Sequence, residues 1–107
     1  MFDTLDDAIA FVGERVPELS AVFTDTTNQG RTAYVHFGAS ETDTAFRVEF
    51  TFWGPRAPNA ETFNKWSISN LWVEPYHESG ANVAILLPQI SLKVMRALLE
   101  SGMYPGP

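Results

Sequence analysis

Apolar and polar residues alternate through residues 44–53, which read T-A-F-R-V-E-F-T-F-W. Successive side chains of a β-strand point to opposite faces of its sheet, so this alternation predicts a strand with one buried face. The apolar face takes Phe46, Val48, Phe50 and Phe52. The opposite face takes Arg47, Glu49, Thr51 and Trp53. We expect the rest of the fold to cover the phenylalanine face.

An amphipathic helix is predicted before this strand, from Thr4 to Val16. Thr4 is a suitable N-cap, Asp6 and Asp7 suit the positive end of the helix dipole, and Pro17 ends the helix. Its apolar residues repeat at helical spacing and predict one buried stripe: Leu5, Ala8, Ile9, Val12 and Val16.

Two more strands are predicted over residues 19–27 and 31–38, followed by a polar connection over residues 39–43. Asn28-Gln29-Gly30 is interpreted as a three-residue hairpin loop in which Gly30 supplies a positive φ. The residues expected to face the core from these two strands are Ala21, Phe23, Ala33, Val35 and Phe37.

A fourth strand is predicted over residues 66–76, after a long Pro-containing connection over residues 54–65. Trp66 and Ile68 are even-numbered whereas Leu71 and Val73 are odd-numbered, which indicates a β-bulge near Ser69-Asn70. After this bulge Trp72 is expected to point away from the core. Residues 77–82 are interpreted as a turn.

The C-terminal part is predicted to hold a helix that starts at Pro88 or Ser91 and ends at Ser101. Val83–Leu87 suits either a short buried strand or the lead-in to this helix, and we favour the strand. One polar stripe is formed by Gln89, Lys93, Arg96 and Glu100. The remaining positions are apolar, which predicts a helix buried more deeply than the first.

The element order is therefore α-β-β-β-β-(β)-α, which predicts the α+β class. We expect one domain over residues 1–107, built in two layers from an antiparallel four- to five-stranded meander. Short connections let the N- and C-terminal helices pack on one face of the sheet. The other face would then be open to solvent or to a partner.

The net charge is −6, and residues 1–30 contain six acidic residues against one basic residue. This balance argues against direct nucleic-acid binding, because affinity for phosphate comes from Lys and Arg. It allows a basic protein partner, and mimicry of nucleic acid by the acidic first helix is a special case of that hypothesis. With no cysteine, no signal-like N-terminus and no long apolar run, we expect a cytoplasmic protein without membrane contact.

The sequence contains no recognisable catalytic, cofactor or metal motif, so we expect none of these sites and no enzymatic activity. Its two histidines, His36 and His77, lack the spacing of a metal site. The acidic residues Glu49, Glu61, Glu74 and Glu78 have separations that depend on the fold, and charged residues usually face water.

Aromatic residues on the open sheet face are the strongest functional indication, since Trp, Tyr and Arg are enriched in protein-binding hot spots. The alternative is that these rings cover one another or lie beneath the long connection. The candidate partner-binding residues are Tyr34, His36, Arg47, Glu49, Trp53, Trp72, Arg56 and Phe63.

The function favoured by these features is binding, and inhibition or neutralisation, of a larger protein partner. Phage anti-defence proteins, including anti-CRISPR inhibitors, and toxin-immunity proteins have this general profile. One alternative is a small-ligand-binding domain or small enzyme with a pocket between sheet and helices. Another is a homodimer in which two open sheet faces meet.

Overall fold

The computed structural model describes residues 1–60, 62–73, 92–93 and 95–96. Its elements are the helix α1 (Leu5–Arg15) and the strands β1 (Ser20–Thr27), β2 (Thr32–Ser40), β3 (Asp43–Phe52) and β4 (Trp66–Val73). The strands form one sheet in the order β1-β2-β3-β4, and each neighbouring pair is antiparallel. The predicted α+β class, N-terminal helix and antiparallel meander are confirmed. The predicted fifth strand lies outside the described residues.

The helix α1 begins where the sequence predicts it. Thr4 has extended backbone angles, and its Oγ1 accepts a hydrogen bond from the backbone N–H of Asp7 at 3.0 Å. Ala8, Val12 and Val16 are fully buried, so the apolar stripe faces the sheet as predicted. These side chains are part of one core whose fully or nearly fully buried residues are Ala8, Val12, Val16, Leu19, Ala33, Val35, Phe37, Ala45, Phe46, Val48, Phe50 and Ile68.

The β2–β3 pair forms the centre of this core. Phe37 of β2 lies directly opposite Phe46 of β3, and their rings stack with centroids 5.0 Å apart and planes inclined by 11°. The connection between the two strands is shorter than expected, because β2 continues to Ser40 and β3 begins at Asp43. Both strands therefore extend into the predicted polar connection.

The strand β4 contains the predicted bulge. Glu49 pairs with Asn70 while the next residue, Phe50, pairs with Ile68, so Ser69 is the extra residue. The bulge places Leu71 opposite Val48 on the core face and Trp72 opposite Arg47 on the other face. The face assignment of Trp72 is confirmed.

The strand β1 departs from the prediction in its register. Thr27 pairs with Thr32, so four residues, Asn28–Arg31, connect the strands instead of three. Phe23 consequently lies opposite His36 and not on the core face, whereas Ala21, beyond a bulge at Val22, lies opposite Phe37. The expectation that Ala21 and Phe23 share a face was wrong, because one residue of register shift moves a side chain to the opposite face.

The long connection is closed at its base by backbone hydrogen bonds. Trp53 N–H donates to Lys65 O at 3.0 Å, and Asn64 N–H donates to Gly54 O at 3.1 Å. β3 ends at Phe52, one residue earlier than predicted, so Trp53 has αR backbone angles and begins the connection. A bridge between Phe2 and Trp66 attaches the N-terminal residues to the start of β4.

Four residues of the predicted C-terminal helix are described, and all four have helical backbone: Leu92, Lys93, Met95 and Arg96. Lys93 Nζ donates to Glu18 Oε1 at 2.7 Å, which places this segment beside the end of α1. The prediction of a deeply buried helix is wrong for Leu92, which is 71% exposed, and for Met95, which is also exposed. Among these four residues, Lys93 of the polar stripe contacts Glu18 beside the end of α1, whereas the apolar Leu92 and Met95 are exposed.

Candidate protein-docking face

The face of the sheet opposite α1, called the open face below, carries the candidate site. Cross-strand pairing arranges its side chains in rows, because directly paired residues share a face. The first row consists of Phe23, His36, Arg47 and Trp72. The second row consists of Asp25, Tyr34, Glu49 and Asn70. The third row consists of Thr27, Thr32, Thr51 and Ser67.

Arg47 is the central cation of the open face. Its guanidinium carbon lies 4.6 Å from the ring centroid of Trp72 and 5.5 Å from that of Tyr34. The two rings are themselves in contact, with centroids 5.8 Å apart and planes inclined by 49°. Cation–π contacts contribute about 0.5–2 kcal/mol each, depending on how far they are desolvated. The structure thus brings together three of the predicted binding residues in one cluster.

The guanidinium has little hydrogen bonding of its own. Arg47 Nε is buried, and no acceptor lies within hydrogen-bonding distance of it among the described residues. The described ion pairs join His36 to Asp25, Lys65 to Asp3 and Lys93 to Glu18, and none includes Arg47. Tyr34 and Trp72 therefore hold the charge without a counter-ion from the described part of the protein.

His36 is also on the open face but is more enclosed than expected. Its ring stacks on Phe23, with centroids 4.0 Å apart and planes inclined by 14°, and only 8% of the residue is exposed. His36 Nε2 lies 3.2 Å from Asp25 Oδ2. These contacts orient the imidazole beside Arg47, its direct cross-strand neighbour. His36 therefore supports the surface more than it projects from it.

Hydroxyl groups occupy the part of the open face next to the bulge. Ser69 Oγ donates to Thr51 Oγ1 at 2.7 Å and lies 3.0 Å from Ser67 Oγ. These bonds stabilise the extra residue of β4 on the open face. Since the bulge determines which face Trp72 occupies, the hydroxyl cluster helps to position the aromatic cluster.

Trp53 and Phe63 lie elsewhere. Trp53 is 39% exposed and Phe63 is 49% exposed, at the long connection whose base is closed by hydrogen bonds. Trp53 is six positions beyond Arg47 in the sequence, a distance of about 20 Å at the usual rise per strand residue. The predicted site is therefore divided between the open face and the end of the sheet. The backbone of Arg56 lies in a short 3₁₀ turn of this connection, and its side group is outside the described part.

The two β1 residues in the first and second rows, Phe23 and Asp25, were not among the predicted binding residues. Both are in β1, where face assignment depends on the hairpin register. A four-residue connection between the first two strands would have placed both on the open face. The feature of the sequence that would have assigned Phe23 and Asp25 to the open face is therefore the length of the β1–β2 turn and not the composition of β1.

The described residues also bear on the alternative sites. Fully buried side chains lie between α1 and the sheet, among them Phe37, Phe50 and Val12. A cleft beside the end of α1 is lined by charged residues: Glu14, Arg15, Lys93 and Arg96. No group of three or more His, Asp or Glu side chains that would suit a metal ion is found among the described residues.

In the part of the protein that the structure describes, no helix has the length and apolar character needed to cross a membrane. Comparison of the sequence and fold with known families, with curated proteins and with solved structures finds no match. The geometry of the open face is thus the basis for assigning a function.

Proposed function

We propose that this protein is a non-enzymatic binding domain whose open face docks on a larger protein and inhibits or neutralises it. Phage anti-defence inhibitors, anti-CRISPR proteins among them, and toxin-immunity proteins are the classes of protein that act in this way. The observation that carries the proposal is the placement of Arg47 over both Tyr34 and Trp72 on the sheet face opposite α1. Arg, Tyr and Trp are the residue types most enriched in binding hot spots.

The cluster has further properties of a docking surface. Its residues project from three neighbouring strands, so their positions are determined by a rigid scaffold and not by a loop. Rigid aromatic side chains lose little conformational entropy when they become buried in an interface. Aromatic rings around one charge also give a hydrophobic centre with a specific polar contact, which is the usual organisation of an interface core.

Binding is favoured over catalysis by the way in which the titratable groups are used. His36 is stacked on Phe23 and engages Asp25 through Nε2, and these contacts help to enclose it. Arg47 is held by the faces of two rings. In this arrangement the charged groups pack on the aromatic rings of the open face and help to hold them in fixed positions, and a rigid surface of this kind supports recognition of a partner.

Affinity purification from a lysate of the native host, followed by an activity assay of the captured protein, tests the proposal. We expect a stoichiometric partner whose activity falls when this protein is added, and we expect Trp72→Ala and Tyr34→Ala to lose that partner. Trp53→Ala and Phe63→Ala are the matched aromatic controls outside the open face. Retention of the partner by folded Trp72→Ala, with loss in Trp53→Ala, would transfer the docking site to the end of the sheet and overturn the proposal.

A further inference from the structure

We infer that Arg47 is the receptor for a carboxylate of the protein partner, and that Tyr34 and Trp72 are positioning residues that hold its guanidinium ready. The inference rests on the proposed function, because it names the chemistry that the open face recognises. The carboxylate has two sources, the side group of an Asp or Glu residue and the C-terminus of a polypeptide, and the experiment below distinguishes them.

The first observation is the unfulfilled hydrogen-bonding capacity of the guanidinium. Nε is buried and has no acceptor among the described residues, and no described carboxylate forms an ion pair with Arg47. A charge that is partly removed from water without a counter-ion is unfavourable. Because Nε is itself buried, an external anion binds at the terminal N–H groups of the guanidinium, where its charge offsets this cost and each contact is stronger in the lower dielectric beside the rings.

The second observation is geometric. The guanidinium lies over the faces of two rings, at 4.6 Å from Trp72 and 5.5 Å from Tyr34, so its rotation is restricted before any partner arrives. A planar, restrained guanidinium suits the two oxygens of a carboxylate, which it binds through two parallel N–H···O bonds. A lysine ammonium at this position would provide neither the plane nor the paired donors.

The third observation is the charge pattern around Arg47. Glu49 is on the same face two residues along β3, and Asp25 is in the same row as Glu49. One cation next to two acids matches a partner that presents an isolated carboxylate among basic or neutral groups. A nucleic-acid strand presents successive phosphates, which these two acids would repel. The pattern therefore favours a protein as the source of the anion.

NMR titration of the 107-residue protein with defined probes tests the inference. The probes are N-acetylglutamate N-methylamide for an Asp or Glu carboxylate, N-acetylglycine for a C-terminal carboxylate, the glutamine analogue of the first probe, and inorganic phosphate. We expect both carboxylate probes to shift the Arg47 Nε–H and Trp72 indole N–H signals saturably, with Kd values on the order of millimolar. The stronger of the two identifies the source, and the glutamine analogue should cause no saturable shift.

Substitutions then assign the shifts to Arg47. Arg47→Met should abolish the Trp72 indole shift, and Arg47→Lys, which keeps the charge, should weaken binding at least about tenfold. Arg31→Met, in the exposed β1–β2 turn, is the matched control and should leave the shifts unchanged. If Arg47→Met does not fold, Arg47→Lys alone decides the question.

Three results would overturn the inference: no saturable shift with either carboxylate, an equal response to the glutamine analogue, or tighter binding of phosphate than of both carboxylates. The proposed function is tested separately by partner capture. If Tyr34→Ala and Trp72→Ala lose the captured partner while Arg47→Met keeps it, the docking face stands and the carboxylate receptor does not. If no variant of the open face affects capture, the proposed function itself fails.

Discussion

The imidazole of His36 lies flat against the ring of Phe23, with the two centroids 4.0 Å apart and the ring planes inclined by only 14°. The contact exists because Phe23 and His36 are direct cross-strand partners between β1 and β2. Val22 is then bulged, which returns Ala21 to the face of Phe37. Phe23 of the edge strand β1 thereby covers the polar side chain of His36 on the open face.

Phe23→Ala should therefore disturb the open face more than the core. We expect a loss of about 1–2 kcal/mol of unfolding free energy, because one half-buried ring and its stacking contact are removed. The ring-current shift of the His36 imidazole signals should disappear in the NMR spectrum. Phe23→Leu is the control, since it keeps an apolar side chain but no ring. Retention of the shifted His36 signals in both variants would contradict the stacking.

Phe50, in β3, and Trp53, in the connection that follows it, provide a test of which aromatic residue belongs to the core. Phe50 is fully buried, so Phe50→Ala should cost about 3–5 kcal/mol through the cavity that it leaves. Trp53 is well exposed, so Trp53→Ala should cost under about 1 kcal/mol. Urea unfolding of the two variants measures both values. Effects of the opposite order would mean that Phe50 does not belong to the core.

Gly38 and Gly13 form a second matched pair. A Cβ at residue 38 would lie 2.2 Å from the carbonyl oxygen of Asp43 and 2.6 Å from the Cα of Thr44, both backbone atoms of the neighbouring strand. Gly38→Ala should therefore destabilise the fold by about 1–3 kcal/mol or more, because β2 and β3 must separate. A Cβ at residue 13 meets nothing within 4 Å.

Replacement of Gly13 by alanine should change the stability of the protein in the opposite direction. Gly13 is within α1, where alanine is favoured over glycine by about 0.5–1 kcal/mol, so Gly13→Ala should stabilise the protein. Thermal or urea unfolding of the two variants under one set of conditions provides the comparison. A neutral Gly38→Ala variant would show that the close approach of β2 and β3 is not maintained in solution.

The faces of β2, β3 and β4 could be predicted because each strand has one strongly apolar side. The bulge in β4 could also be predicted, since its apolar positions are even-numbered up to Ile68 and odd-numbered from Leu71 onward. The residues of the edge strand β1 were harder to assign to a face of the sheet. Ala21, Val22 and Phe23 are three apolar residues in succession, so they specify no face, and the length of the turn decided the register.

The candidate site was predictable to a similar degree. Alternation alone placed Tyr34, His36, Arg47 and Glu49 on the open face, and the bulge added Trp72. The long-range contacts within the cluster were not predictable, because side-chain rotamers and cross-strand register determine them. Trp53 was assigned to the same face because the strand was expected to include it, whereas the backbone leaves the sheet at Phe52.

The ion pair between Asp3 and Lys65 makes a pH-dependent prediction. Lys65 Nζ donates to Asp3 Oδ1 next to the bridge between Phe2 and Trp66, so the pair helps to hold the N-terminal residues on β4. The hydrogen bond from Lys65, followed by its positive charge, lowers the pKa of Asp3, while desolvation opposes this shift. A carboxyl whose pKa is lowered by folding stabilises the folded state above its unfolded-state pKa. That contribution is lost as the pH falls through the lower folded-state pKa.

Asp3→Asn should therefore be less stable than the natural protein near neutral pH, and the difference should shrink below about pH 3.9, the ordinary aspartate value. The pair is exposed, so the effect is small and added salt should reduce it. Urea unfolding of both proteins from about pH 7 to about pH 2 measures the difference. Lys65→Met should cause a similar loss at neutral pH, and the double variant should lose no more than either single one. A difference between Asp3→Asn and the natural protein that is independent of pH would show that the ionised pair does not stabilise the fold.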